Sequence, residues 1–155
     1  MRSMDEKPTK EMNELLAQTS PDELDAYFRQ NEKYMAGGER AFYHYMKDLL
    51  RRNRILLKDL YSFAGVSESY GGKILTMEKP TKNRDLIIRF CVVGRFIWDE
   101  TNRALKLYGF SEFYAKKPRD ACLIVALNHR IRDLGEIDDL LIRRGFDKLS
   151  PDEPV

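Results

Sequence analysis

The side chains with the clearest chemical promise stand close together on one short segment: Ser67, Glu68, Ser69, Gly72 and Lys73. Their types suit the edges of nucleic-acid bases. A lysine donates to guanine O6 and N7, a serine hydroxyl pairs with several bases, and a glutamate accepts from cytosine N4. Gly71 and Gly72 each weaken a helix by about 1 kcal/mol relative to alanine. A backbone without side chains can lie close to a ligand, but the same glycines can simply relieve crowding against a preceding helix. The cations Arg52, Arg54, Lys58, Lys79, Lys82 and Arg84 flank the segment and suit phosphate oxygens.

Catalytic chemistry has no comparable footing. His44 and His129 are far apart and lack metal-ligand spacing to Cys91 and Cys122, which sit inside the apolar runs FCVV and ACLIVAL. There is no Gly-rich phosphate loop after a strand, no nucleophile elbow and no HExxH motif. The acidic pairs Asp99-Glu100 and Asp138-Asp139 are adjacent in sequence, so on a helix their carboxylates diverge by about 100°. The expectation is a binding protein rather than an enzyme, with no cofactor and no metal.

Helices must position the segment. Apolar residues at helical spacing (Phe42, Tyr45, Met46, Leu49, Leu50) predict a helix over 39–52, followed by helices over 57–64, 68–76 and 83–93. Between the second and third, Gly65 supplies a left-handed turn, Val66 plugs the space between helices, and Ser67 caps the next helix. On that third helix Tyr70, Ile74 and Met77 are expected to face inward. Thr81 or Asn83 caps the helix after it, whose apolar side (Leu86, Ile87, Phe90, Cys91) is expected at the centre of the core.

This helix, Gly-Val-Ser turn and second helix resemble the Cro and lambda-repressor type of helix-turn-helix, the XRE family of bacterial regulators. The matching residues are Leu60 and Ala64, Gly65-Val66-Ser67, then Tyr70 and Ile74. The resemblance extends to a subgroup with Tyr-Gly near the middle of the recognition helix, here Tyr70-Gly71, and with two further helical hairpins. It covers roughly residues 40–149. It implies an all-α, lambda-repressor-like bundle extended by C-terminal hairpins, with residues 68–76 in the major groove of double-stranded DNA and paired half-sites read by a homodimer. The family usually opens the helix before the turn with Thr-Gln or Ser-Gln, whereas this chain has Leu56-Leu57, leaving Lys58 as the nearest polar substitute. Met77 stands where the family commonly has glycine.

The charge is unevenly divided. Residues 1–38 carry a balance of −3, residues 39–94 of +5, and residues 95–155 of zero, giving +2 for the chain. The positive excess thus coincides with the proposed phosphate contacts. The chain divides into an acidic N-terminal piece (1–38), the binding core (39–94), C-terminal hairpins (95–149) and a polar tail (150–155). In the N-terminal piece, a short helix over 10–18 precedes one that Ser20-Pro21-Asp22-Glu23 opens, ending near Met35 before Gly37-Gly38. Packing on the main domain or on a second subunit is its expected role.

A weak repeat links the later helices. Arg84-Asp85 recurs as Arg119-Asp120, and Glu100 to Gly109-Phe110 recurs as Glu136 to Gly145-Phe146. Lys116-Lys117-Pro118-Arg119 is a basic turn, either solvated or an auxiliary contact for phosphate or a protein partner. No apolar run reaches about 18 residues and no signal-peptide core opens the chain, so a cytoplasmic protein without a membrane span is expected. The competing expectation is a helical protein-interaction module that keeps the fold without binding DNA, its partner on the C-terminal hairpins.

Overall fold

The computed structural model describes residues 9–32, 35 and 40–152. Among these the fold is all-α, without strands. The helices are α1 (Thr9–Ala17), α2 (Leu24–Gln30), α3 (Ala41–Arg52), α4 (Leu57–Ala64), α5 (Glu68–Leu75), α6 (Arg84–Val93), α7 (Trp98–Tyr108), α8 (Pro118–Asn128) and α9 (Leu134–Ile142), with a 3-10 turn at Pro21–Glu23 before α2. The expected polar N-terminus, the Gly37-Gly38 break and the last three residues of the tail lie outside the described residues.

The core forms where the periodicity puts it. Phe42, Met46, Leu49 and Leu50 of α3 are buried against Leu60 of α4, Ile74 of α5 and the apolar side of α6. α6 packs on both α4 and α7, so it is the central helix of the bundle. Its burial is nearly complete from Leu86 to Val92. That stretch includes Arg89, only 3 % exposed, beside the inner residues expected from sequence, Leu86, Ile87, Phe90 and Cys91. Burial depresses the Arg89 guanidinium from its usual range, while Asp85 and Asp138 favour its charge.

The repeat is real and reciprocal. Arg84 makes a bidentate pair with Asp120 (3.0 and 3.1 Å), and Arg119 makes one with Asp85 (2.9 Å each). The two Arg-Asp dipeptides exchange partners, clamping the starts of α6 and α8 together. Each arginine also uses Nε on its own unit: Arg84 donates to Ser111 O and Arg119 to Asp147 O, both at 3.1 Å and both just after a Gly-Phe pair. Fork-shaped guanidinium geometry makes such pairs specific as well as strong.

A third unit escaped the sequence reading. α3, α6 and α8 each close on an arginine in the left-handed region, Arg54 (φ 59°), Arg95 (φ 64°) and Arg130 (φ 60°). Each is followed by an apolar residue whose N–H reaches back five residues: Ile55 to Leu50 O, Phe96 to Cys91 O, Ile131 to Ala126 O. α4, α7 and α9 end the same way on Gly65, Gly109 and Gly145. The chain is therefore three hairpins, α3–α4, α6–α7 and α8–α9, each closed first on arginine and then on glycine, with α5 inserted after the first. The first unit lacks the Arg-Asp opening and has Gly65-Val66 where the others have Gly-Phe, which hid it in the sequence.

Three expectations are corrected. α2 ends at Gln30 rather than near Met35; Tyr27 is buried, while Leu24 and Phe28 are exposed. Met77 is not an inward residue: it is 38 % exposed at φ 60°, taking the left-handed turn that glycine would otherwise make. The segment from Asp147 to Asp152 is more than a polar tail. Leu149 is buried, Asp138 accepts the N–H groups of Leu149 (2.7 Å) and Ser150 (3.1 Å), and Arg89 donates to Leu149 O (3.0 Å). This strap folds over the α4–α5 turn, where Pro151 Cγ lies 3.2 Å from where a Gly65 Cβ would stand.

Candidate nucleic-acid interface

The α4–α5 pair is fixed from both ends. Gly65 turns at φ 82°, Val66 is buried, and Ser67 Oγ accepts the Tyr70 N–H at 3.1 Å. Arg89 donates to Ala64 O at 3.0 Å, so the last carbonyl of α4 has a charged partner from the central helix. One guanidinium thereby ties the turn, the core and the C-terminal strap together. Only an arginine isolated in an apolar helix signalled it in the sequence.

α5 lies hard against α4 at one point. A Cβ on Gly71 would stand 2.6 Å from Tyr61 Cε1 and 2.9 Å from its Cγ, whereas at Gly72 the nearest atom is the Tyr61 hydroxyl at 4.0 Å. Crowding therefore explains Gly71 and leaves Gly72 open. Burial raises the Tyr61 phenol above its usual range, with Tyr43 and Glu68 adding to the effect.

On the outer side of α5, Ser67, Glu68 and Ser69 are exposed, and Gly72 and Lys73 are half-buried. The five proposed base-reading residues thus fall on the first turn and a half of one helix. Ser67 uses one of its two acceptor lone pairs on its cap, which leaves its hydroxyl proton for donation. Inward, Ile74 and Leu75 are buried and Tyr70 packs partly against the core.

The flanking cations divide into two groups. Arg52 is held by Glu100 Oε2 at 2.7 Å and donates through Nε to Asn53, and Arg84 is clamped by Asp120 while lying over the Phe113 ring. Both are taken up by the chain itself. Arg54, Lys58, Lys79 and Lys82 are exposed. The loop carrying Lys79 and Lys82 is seated by Tyr108, whose hydroxyl accepts the Thr81 N–H at 2.9 Å and donates to Ile74 O at 3.4 Å. Thr81 Oγ1 in turn accepts the Asn83 N–H, and Asn83 caps α6 through the Leu86 N–H. In the 116–119 turn, Lys116 and Lys117 are exposed while Arg119 is paired with Asp85.

Leu56 and Leu57 sit where polar capping residues were expected. Leu56 is the N-cap of α4 without a side-chain hydrogen bond, and it is 60 % exposed. Phe63, on the outer side of the same helix, is 70 % exposed. No local signal in the sequence marks either exposure.

The thiol of Cys91 is fully buried and pushed well above its usual range by desolvation, partly countered by a hydrogen bond with Thr101. Among the described residues no group of three His, Cys, Asp or Glu could hold a metal ion, and no helix is long and apolar enough to cross a membrane. No protein-family model, curated protein or solved structure matches this chain.

Proposed function

We propose that the chain is a sequence-specific double-stranded DNA-binding transcriptional regulator that reads the major groove with α5. The observation that supports this most is the exposed first turn of α5. It presents Ser67, Glu68 and Ser69 outward while Gly65, Arg89 and Ser67 hold the helix rigidly on α4. Lys73 and the open backbone at Gly72 extend the same side. Lys58, Lys79 and Lys82, with Arg54, are the exposed cations suited to phosphate. Phosphate contacts set register on the duplex, and base edges set sequence.

The test is binding to a randomised duplex library across a salt series, with recovered sequences read out. Enrichment of a short site is expected. If Lys58, Lys79 and Lys82 each neutralise a phosphate, log K falls with log salt at a slope of roughly −3, at about −0.9 per contact. Lys73→Glu with Lys82→Glu should lower affinity for the selected site by about tenfold or more without changing the melting temperature. Undiminished affinity in that variant would refute the assignment of α5.

A second reading is a helical protein-interaction module that retains the fold without DNA binding. The exposed Leu56 and Phe63 and the internally committed Arg52 and Arg84 favour it. Absence of any enriched site or salt-sensitive binding would select this reading.

A further inference from the structure

A cleft of about 720 Å³ opens between the outer side of α4, the end of α6 and the start of α9. Its walls are part apolar (Ile55, Phe63, Val93, Leu134) and part cationic (Arg54, Arg95, Arg132). It continues past Arg54 and Ile55 into a second hollow of about 340 Å³ that adds Lys47, Arg51 and Leu56. Along the joined groove five cations face only two carboxylates, Asp59 and Asp133.

The cations at its centre are held in place but have no partner. Asn53 Nδ2 donates to Gly94 O at 2.8 Å and to Arg95 O at 3.2 Å, pinning the turn that carries Arg95 beside the one that carries Arg54. Both arginines occupy left-handed backbone, a conformation that costs a non-glycine residue about 1–2 kcal/mol. Glycine closes the partner helices of the same hairpins without that cost. Among the described residues, no side chain forms an ion pair or hydrogen bond with the guanidiniums of Arg54, Arg95 or Arg132.

The chain also carries a segment of the opposite character. Residues 9–32 hold six carboxylates against two cations. Leu15, Leu16, Leu24 and Phe28 of α1 and α2 are exposed, and the buried Met12 and Tyr27 stand outside the main core cluster. The arm is thus acidic and amphipathic: Thr9 Oγ1 accepts from Arg103 Nη1 of α7 at 3.5 Å and Met12 and Tyr27 are buried, while Leu15, Leu16, Leu24 and Phe28 stay uncovered. The groove is cationic and amphipathic, with Phe63 and Leu56 equally uncovered.

We infer that the groove is an interaction surface for a second copy of this chain, whose α1–α2 arm lies in it while the first copy's arm is received in return. Apolar burial of Leu15, Leu16, Leu24 and Phe28 against Phe63, Leu56 and Ile55 supplies the attraction, and the arginine–carboxylate contacts set which side of the arm faces in. Reciprocal exchange makes the contact isologous, so assembly stops at the dimer. The inference uses none of the α5 residues and shares only Arg54 with the proposed DNA contacts, so the charge reversals that test it are placed at Arg95 and Arg132.

Sedimentation velocity of the full chain, without DNA, tests it over a protein concentration series at low and high salt. A concentration-dependent dimer that weakens with salt is expected. Arg95→Glu with Arg132→Glu should weaken dimerisation by about tenfold or more, and Glu11→Lys with Glu14→Lys should do the same. Mixing the two charge-reversed proteins should restore a heterodimer, which a fold defect in either variant would not allow. A monomer at every concentration, or a dimer indifferent to both reversals, would overturn the inference.

Discussion

Adjacent glycines on α5 should respond to alanine with opposite signs. At Gly71 an added Cβ meets three atoms of the Tyr61 ring, two of them at 2.6 and 2.9 Å. The ring is no flexible end that can swing aside: Tyr61 is buried and its centroid lies 6.2 Å from that of Phe90 on the central helix. Overpacking of this kind costs about 1–3 kcal/mol, and the contact distances place this site in the upper half of that range. Helix propensity returns about 1 kcal/mol, so Gly71→Ala should be net destabilising by about 1–2 kcal/mol. At Gly72 the nearest atom is 4.0 Å away, so only the propensity gain operates, and Gly72→Ala should stabilise by about 0.5–1 kcal/mol. The two variants should therefore differ by about 2 kcal/mol, or roughly 4–8 °C in Tm for a chain of this size. Urea unfolding followed by circular dichroism reads the difference directly. Equal shifts of the same sign would refute the close α4–α5 approach on which the placement of the base-reading residues depends. Tyr61→Leu in the Gly71→Ala background should recover part of the loss, because contacting residues are not additive.

Three further outcomes are expected. Arg89→Met leaves the Ala64 and Leu149 carbonyls without their charged donor and should destabilise by about 2–4 kcal/mol in denaturant titration; limited proteolysis should then cut near Leu149 sooner. Burial pushes the Asp120 carboxyl up, but the hydrogen bonds from Arg84 and the Tyr114 amide more than offset that and hold it below the usual range. With the folded value depressed, its stabilisation is present above about pH 4 and is lost as the pH falls through the folded value. Asp120→Asn should cost about 2 kcal/mol at pH 6 and leave a flatter loss of stability below pH 4 than the parent chain shows. Met77→Gly removes a left-handed non-glycine residue at an exposed position and should stabilise by about 0.5–1 kcal/mol in the same titration.

Helix positions were readable in this chain because the apolar period is clean: α4 was expected over 57–64 and lies at Leu57–Ala64, and α3, α5 and α6 start or end within two residues of expectation. Gly65 and Ser67 announced their turn because only a few residue types make left-handed turns or cap helices. Exposure of Ser67, Glu68 and Ser69 followed from the same periodicity. Non-local partners carry no such local signature. Nothing in the sequence pairs Arg84 with Asp120 rather than Asp85, since the choice depends on α6 and α8 starting side by side. Arg89 looked like an interruption in an apolar helix until α4 and the strap placed their carbonyls against it. From α3 to α6, Met77 apart, local pattern dictated which of the named residues turn inward and, to within a residue, where helices stop. Tertiary packing alone decided which cations remain for a partner, because an arginine's role depends on the carboxylate or carbonyl that folding brings within about 3 Å.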